Sequence, residues 1–210
     1  DNTEGTLSSQ QGDLSVQALS LNNEQGELLA GDALELALSE SLSNTDGTVY
    51  AGGNAIFDTG TLINTGTVAA ADNLTINAGG VESTGTLAAG LNADGTLKGF
   101  AQDGSALNVS TRNDLSATGT NLAAGTLTLD GENLDLSESQ TSAYSADVIV
   151  RGDLDTWQAN VVTQESLTLQ IDGGLDNTGG ILSSQQGDLS VSTLGLTNPV
   201  GGQQLGSLRH

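Results

Sequence analysis

The sequence predicts an all-β fold, a parallel β-helix in which short strands stack coil upon coil, and three observations carry that expectation. The stretch DNTEGTLSSQQGDLSV, Asp1 to Val16, returns as DNTGGILSSQQGDLSV, Asp176 to Val191, with fourteen of sixteen positions identical at an offset of 175 residues. Weaker copies of the same phrase fill the space between, so the chain is a tandem array and is to be read as one. Within each copy apolar residues alternate with Thr, Ser, Asp or Asn, a period of two that belongs to a strand with one buried face.

The array is aligned on a small residue two places after an aliphatic one. The positions are Asn2, Asn23, Asn44, Asn64, Ser83, Ala117, Ser137, Thr156, Asn177 and Asn198, most of them 19 to 21 residues apart. The step from Ser83 to Ala117 is 34. About ten coils, each with two or three short strands, are expected. At one strand spacing per coil they make a rod roughly 48 Å long. Asn2, Asn23, Asn44, Asn64, Asn177 and Asn198 are expected to form an inward ladder whose amides bond from coil to coil. Such amides are already satisfied, which gives them a structural role rather than a chemical one.

The strands follow from the alternation: Leu14/Val16, Leu34/Leu36/Leu38, Leu74/Ile76/Ala78, Leu127/Leu129 and Leu167/Leu169/Ile171 supply the core. Gly, Asn and Asp punctuate them as turns require, and hairpin Asn-Gly signals are missing. One coil is interrupted. About 14 extra residues lie between Leu91 and Leu107, and they hold Lys98, the only lysine, and Phe100. An insertion in a solenoid maps to a surface loop, either decorative or a contact for a ligand or receptor. Residues 1–210 are otherwise read as one repeat domain, a monomeric fragment whose parent array continues in both directions. The closing GSLRH carries no weight.

The net charge is −22, from 26 acidic and 4 basic residues. Phosphate would be repelled, so nucleic acid is not an expected partner, and anionic lipid is disfavoured in the same way. No apolar run reaches the roughly 18 residues of a membrane helix. There is no cysteine. The single histidine is His210, so a Ser-His or Cys-His arrangement in an ordered core is not available. Zinc-ligand spacing and phosphate-loop patterns are both missing, and neither a cofactor nor a metal is expected.

Few aromatic residues remain as candidates for contact. Phe57 falls in the inward column with Ile76 and reads as core. Tyr50 and Tyr144 read as sharing one outward column. Trp157 replaces the Thr or Glu usual after the ladder residue and reads as solvent-facing, either a contact residue or one packed under a loop. Arg151-Gly152-Asp153 is a tripeptide that integrins read. Yet Gly12-Asp13 and Gly187-Asp188 are expected in the same turn of other coils, which leaves only Arg151 unexplained by the repeat. Acids recur before the strands at Asp13, Asp32, Asp72, Asp114, Glu132, Asp153, Glu165 and Asp188. Stacked, they would form one acidic ridge about 5 Å in pitch, either a solvated turn column or a surface that divalent cations bridge.

The phrases LDNTGGILSSQQGDLSV, LINTGTVAAADNLTINAGG and GTNLAAGTLTLDGENLDLS resemble the haemagglutinin repeats of filamentous-haemagglutinin-type exoproteins. These are the two-partner-secreted adhesins of Gram-negative bacteria and the CdiA-type contact-dependent inhibition effectors. The resemblance implies a right-handed parallel β-helix, export through an outer-membrane transporter partner, and a place in an extracellular filament at the cell surface. It implies a shaft that attaches to host or neighbouring cells through a protein or glycan receptor. A dedicated receptor-binding segment, which would recognise an outer-membrane protein of a target bacterium, is the first alternative. A polysaccharide-acting β-helix enzyme is the second, and too few aromatic and basic residues are present to build its cleft. No enzymatic activity is expected.

Overall fold

A computed structural model of the chain describes residues 1–199. His210 lies outside the described residues. Among the described residues 21 strands form one continuous parallel sheet wound as a solenoid, with no helix. Among the described residues no helix is long and apolar enough to cross a membrane. The predicted β-solenoid of about ten coils is thus the observed architecture.

Each coil has three faces. The strand Leu34–Asn44 supplies two of them, because its pairing with Ala55–Asn64 is regular up to Ala37, breaks, and resumes at Ser41. The strand Thr48–Ala51 supplies the third. Every face repeats in register. On the first, Leu36 pairs with Phe57 and Phe57 with Ile76. On the second, Leu42 pairs with Leu62 and Asn44 with Asn64. On the third, Val49 lies between Leu28 and Val68. The inward side chains of all three faces meet in one apolar column, most of it fully buried. Each fully buried aliphatic contributes roughly 1.5–3 kcal/mol. Phe57 is core, as its column position predicts.

The asparagine ladder runs on the second face. Nδ2 of Asn2 donates to Oδ1 of Asn23 at 2.7 Å, Asn23 to Asn44 at 2.8 Å, Asn44 to Asn64 at 2.8 Å, and Asn64 to Oγ of Ser83 at 3.0 Å. The amides of Asn23 and Asn44 also donate to their own turns, Asn23 to the Gly26 carbonyl and Asn44 to that of Gly47, both at 3.1 Å. This bends the side chain under the turn glycine. A Cβ on Gly26 would lie 2.1 Å from the Asn2 carbonyl and 2.7 Å from Asn23 Oδ1, and one on Gly47 would lie 2.2 Å from the Asn23 carbonyl and 2.6 Å from Asn44 Oδ1. Backbone and amide together leave no room for a side chain at these two glycines, whereas the Asn64 turn places its glycine one residue earlier, at Gly66.

The ladder does not continue through Ser137. Leu134 pairs with Leu154 and Asp135 with Asp155, which puts Leu136 in the column and leaves Ser137 one place outside it. Two places after Leu134 stands Leu136, and the small residue Ser137 comes one place later. Over these coils the column reads Ala117, Leu136, Thr156, and polarity returns where the Thr156 hydroxyl donates to Asn177 Oδ1 at 2.8 Å. Asn177 then donates to Asn198 at 3.4 Å. Where the second face turns apolar, the third turns polar. Asn121 replaces the aliphatic of its column and pairs with Leu87 below and Thr141 above. Its Nδ2 donates to the Ala117 carbonyl at 2.9 Å and to Thr141 Oγ1 at 3.1 Å. Asn121 Oδ1 is buried with no protein partner. In the same coils the turn glycine gives way to Ser139 and Ala159, both buried.

Candidate functional site

The interruption sits at the corner between the third face of one coil and the first face of the next. Most coils cross there in about three residues, such as Gly52–Asn54; here Gly90 to Ala106 intervene between Ala89 and Leu107. The loop is thus shifted by one residue from the expected span, since Leu107 opens the next strand and pairs directly with Leu74. The solenoid closes beneath the loop as though it were absent.

The loop is folded. Gly90 and Gly95 take positive φ, 81° and 80°. Leu91 and Leu97 form an antiparallel bridge, and Asn92 N donates to the Thr96 carbonyl at 2.9 Å. Asp94 caps the tip by accepting from Thr96 N at 2.9 Å and from Thr96 Oγ1 at 2.5 Å. The Thr96 hydroxyl and amide hold the Asp94 carboxyl below the usual carboxylate range. Lys98 Nζ meets Asp72 Oδ1 at 2.9 Å. Both side chains are partly exposed, so this pair contributes at most about 1 kcal/mol. On the return leg Ala101 N donates to the Ala124 carbonyl at 2.9 Å.

The loop lies back over the outer side of the third face. Ala69 and Ala88 point outward by register, beside Tyr50, yet both are fully buried. Between the loop and the first coils runs a groove of about 630 Å³, lined by Leu29, Thr48, Tyr50 and Thr67 on the sheet and by Leu91 and Asn92 on the loop. Burial raises the Tyr50 phenol above its ordinary value of 10.0; Lys98 pulls it down in part, and Asp72 and Asp94 push it up. The structure therefore brings Tyr50 and the Lys98–Asp72 pair into one neighbourhood. Phe100 is on the same loop, 38% exposed and outside the groove lining.

Tyr50 and Tyr144 do not share a column. Tyr50 pairs with Leu29 and Ala69, a column that reaches Ser142 two coils after the loop. Tyr144 lies two residues further on, in the corner between third and first faces, and is half-buried there. Tyr50 precedes its inward alanine whereas Tyr144 follows one, a difference that composition does not reveal. Trp157 stands at another corner, between second and third faces, 39% exposed as its place after the ladder residue predicts. Its amide donates to Asp155 Oδ1 at 2.8 Å.

The Arg151-Gly152-Asp153 tripeptide occupies the corner between first and second faces, since Leu154 pairs with Leu134 and Leu175. Asp13 and Asp188 precede first-face strands, so the expected shared turn is not found. Arg151 reaches Asp130 at 2.5 Å, Glu132 at 3.3 Å and the Thr111 carbonyl at 2.9 Å. Its hydrogen bond to Asp130 raises the guanidinium further. Asp153 Oδ1 accepts from Gly174 N at 2.7 Å. Both charged groups of the tripeptide are engaged in bonds between coils.

The predicted single acidic ridge is two ridges for the same reason. Asp13, Asp32, Asp72, Glu165 and Asp188 border the first face, and Asp114, Glu132 and Asp153 border the second. Corner carboxylates and amides relay from coil to coil. Asp114 Oδ1 accepts from Asn133 Nδ2 at 2.9 Å, and Asn133 Oδ1 accepts from Asp153 N at 3.0 Å. Interposed asparagine separates like charges. Sequence reasoning missed a third acidic row, Asp135, Asp155 and Asp176, which stacks outward on the second face. Among the described residues no three His, Cys, Asp or Glu side chains converge on one point.

Against known proteins, the chain is similar to Toxin CdiA of Yersinia pestis, 34% identical over 193 residues. The match covers 88% of this chain but only 5% of that protein, so the chain spans about one-twentieth of its relative. No family profile matches the chain, and no solved structure matches it.

Proposed function

We propose that this chain is a shaft segment of a large secreted bacterial exoprotein of the filamentous-haemagglutinin and CdiA type, which holds contact-making parts of the parent away from the cell surface. The observation that carries the reading is the pairing of a ten-coil solenoid with similarity to one-twentieth of a very long toxin protein. A coil that bonds only to its neighbours can be repeated without limit, which is what a spacer needs. The reading assigns the segment no catalytic step. It places the segment outside the cell, exported with the help of an outer-membrane transporter partner.

The test is surface accessibility on intact bacteria that produce the parent protein. An antibody against the segment should label intact cells, and external protease should remove the label. Labelling that appears only after lysis overturns the reading. Contact with a protein receptor on neighbouring cells would be an added role, supported by the partly exposed Phe100 and Trp157. Saturable retention of the purified chain on Gram-negative cells, weakened by Phe100→Ala or Trp157→Ala, would establish it. Absence of retention would leave the shaft role alone.

A further inference from the structure

We infer that the groove between the inserted loop and the third face is a binding site for a neutral oligosaccharide, with Tyr50 as its stacking platform. The first argument is charge. The chain carries 26 acidic residues, yet none of the side chains that line this groove is charged. A field of net −22 repels anionic glycans and nucleotides, and the two carboxylates beside the groove that a cationic ligand would need are already engaged, Asp72 by Lys98 and Asp94 by Thr96. A neutral ligand meets neither penalty.

The second argument is the chemistry of the lining. A pyranose presents an apolar ring face and a rim of hydroxyls. The half-buried Tyr50 ring and Leu29 offer apolar surface, while Thr48, Thr67 and Asn92 offer short hydroxyl and amide groups around it. An aromatic body beside fixed polar groups is the usual make-up of a small-ligand site. The volume, about 630 Å³, falls within the range of such sites.

The third argument separates a sugar from a peptide strand. Peptides add to a sheet through unpaired edge amides. Here the strand Thr48–Ala51 is paired on both sides, to Glu27–Ala30 and to Thr67–Ala70. Of the lining strands only Thr6–Ser9 is paired on one side alone; the two that carry Leu29, Thr48 and Tyr50 are paired on both and offer side chains to the groove. The folded loop also supplies the wall, since Leu91–Leu97 and Lys98–Asp72 hold it in place before any ligand arrives. A preformed wall lowers the ordering cost of binding. The inference stands apart from the shaft reading, because a rod can carry such a groove or lack it.

The experiment is a solution and immobilised-glycan panel of neutral hexose and N-acetylhexosamine oligosaccharides, with sialylated and sulfated counterparts, probed with the full chain. The expected result is retention on at least one neutral glycan and not on its anionic counterpart. Affinity should fall at least about tenfold in Tyr50→Ala and in Ala93→Glu, which places a charge on the groove wall, and stay within about twofold in Leu194→Ala, at an exposed residue outside the groove lining. Circular dichroism of each variant confirms the fold, and Ala93→Glu, on an exposed residue, keeps the test valid if Tyr50→Ala unfolds. No neutral glycan retained, preference for the anionic series, or indifference to both groove variants each overturns the proposal. None of these outcomes bears on surface labelling of the parent, so the two readings fail independently.

Discussion

The coils before the loop and the coils after it solve the same packing problem with different polar spines. Before it, Asn23, Asn44 and Asn64 carry an unbroken buried ladder on the second face, and the turns above use glycine. After it, Ala117 and Leu136 fill that column, Asn121 and Thr141 carry polarity on the third face, and the turns admit Ser139 and Ala159. The difference teaches that asparagine and glycine pack together at the Asn23 and Asn44 turns. A Cβ on Gly26 or Gly47 would meet both the amide oxygen and the backbone carbonyl of the ladder residue in the coil below. Where the column holds Leu136 or Thr156, the same turn position accepts Ser139 or Ala159.

The sharpest way to break the comparison is one substitution made in both halves. Asn44→Leu strands the Asn64 Oδ1 acceptor and removes the Asn23 partner. It should cost roughly 2–4 kcal/mol, since each buried group left unpaired costs about 1–3 kcal/mol. Asn121→Leu removes an amide whose oxygen already lacks a protein partner; its column neighbours are Leu87 below and Thr141 above, and the Thr141 hydroxyl keeps Ser139 as a partner. It should change stability by less than about 1 kcal/mol, or raise it, because apolar replacement of a half-satisfied polar group is close to neutral. Urea unfolding of both variants decides, and equal losses would sink the two-spine account.

The next effect concerns the turns. Gly47→Ala should cost about 1–3 kcal/mol as an overpacked site, while Ala159→Gly should cost no more than about 1 kcal/mol. Equilibrium unfolding measures both, and a harmless Gly47→Ala would separate the glycine from the ladder. Smaller again is Gln158→Gly. Gln158 sits at φ 53° in the left-handed region, so glycine there should raise stability by up to about 1 kcal/mol, net of chain entropy. The melting temperature should rise; a fall would mean that the Gln158 side chain matters more than its backbone.

The smallest effect depends on pH. Hydrogen bonds from the Thr178 hydroxyl and amide hold the Asp176 carboxyl below its ordinary 3.8. A folded-state value below the unfolded one stabilises at pH above that unfolded value, and the contribution is lost as pH falls through the folded one. Thr178→Val should therefore be slightly less stable than wild type at neutral pH, and the gap should close below about pH 3.8. A gap that persists in strong acid would assign the loss to packing.

The period of two and the step of about 20 residues were enough to read the solenoid, the Phe57 core position and the asparagine column through Ser83. Corners were harder, because their lengths vary. Tyr144–Ser145 crosses in two residues where Gly52–Asn54 uses three, so counting residues placed Tyr144 with Tyr50. Gly-Asp-Leu occurs at two different corners, and three letters cannot say which, so Arg151–Asp153 was assigned to the wrong one. Asn121 was invisible because its polarity appears at a position aligned with leucine. The neutral groove had a signal in Ser8, Leu29, Tyr50, Ala69 and Ala88, an uncharged outward column in an acidic chain, but its wall comes from a loop whose path the repeat does not specify.

The direct pairing of Leu74 with Leu107 has a kinetic consequence. Folding along this chain is a front that advances one coil at a time, and each step closes a segment of about 20 residues. At the loop the same step must close 33. Loop-closure entropy grows only as the logarithm of length, so that longer step costs about 0.4 kcal/mol more than its neighbours. The front slows there about twofold and does not stall. A chain built this way can carry a surface loop and keep nearly the folding speed of a plain rod.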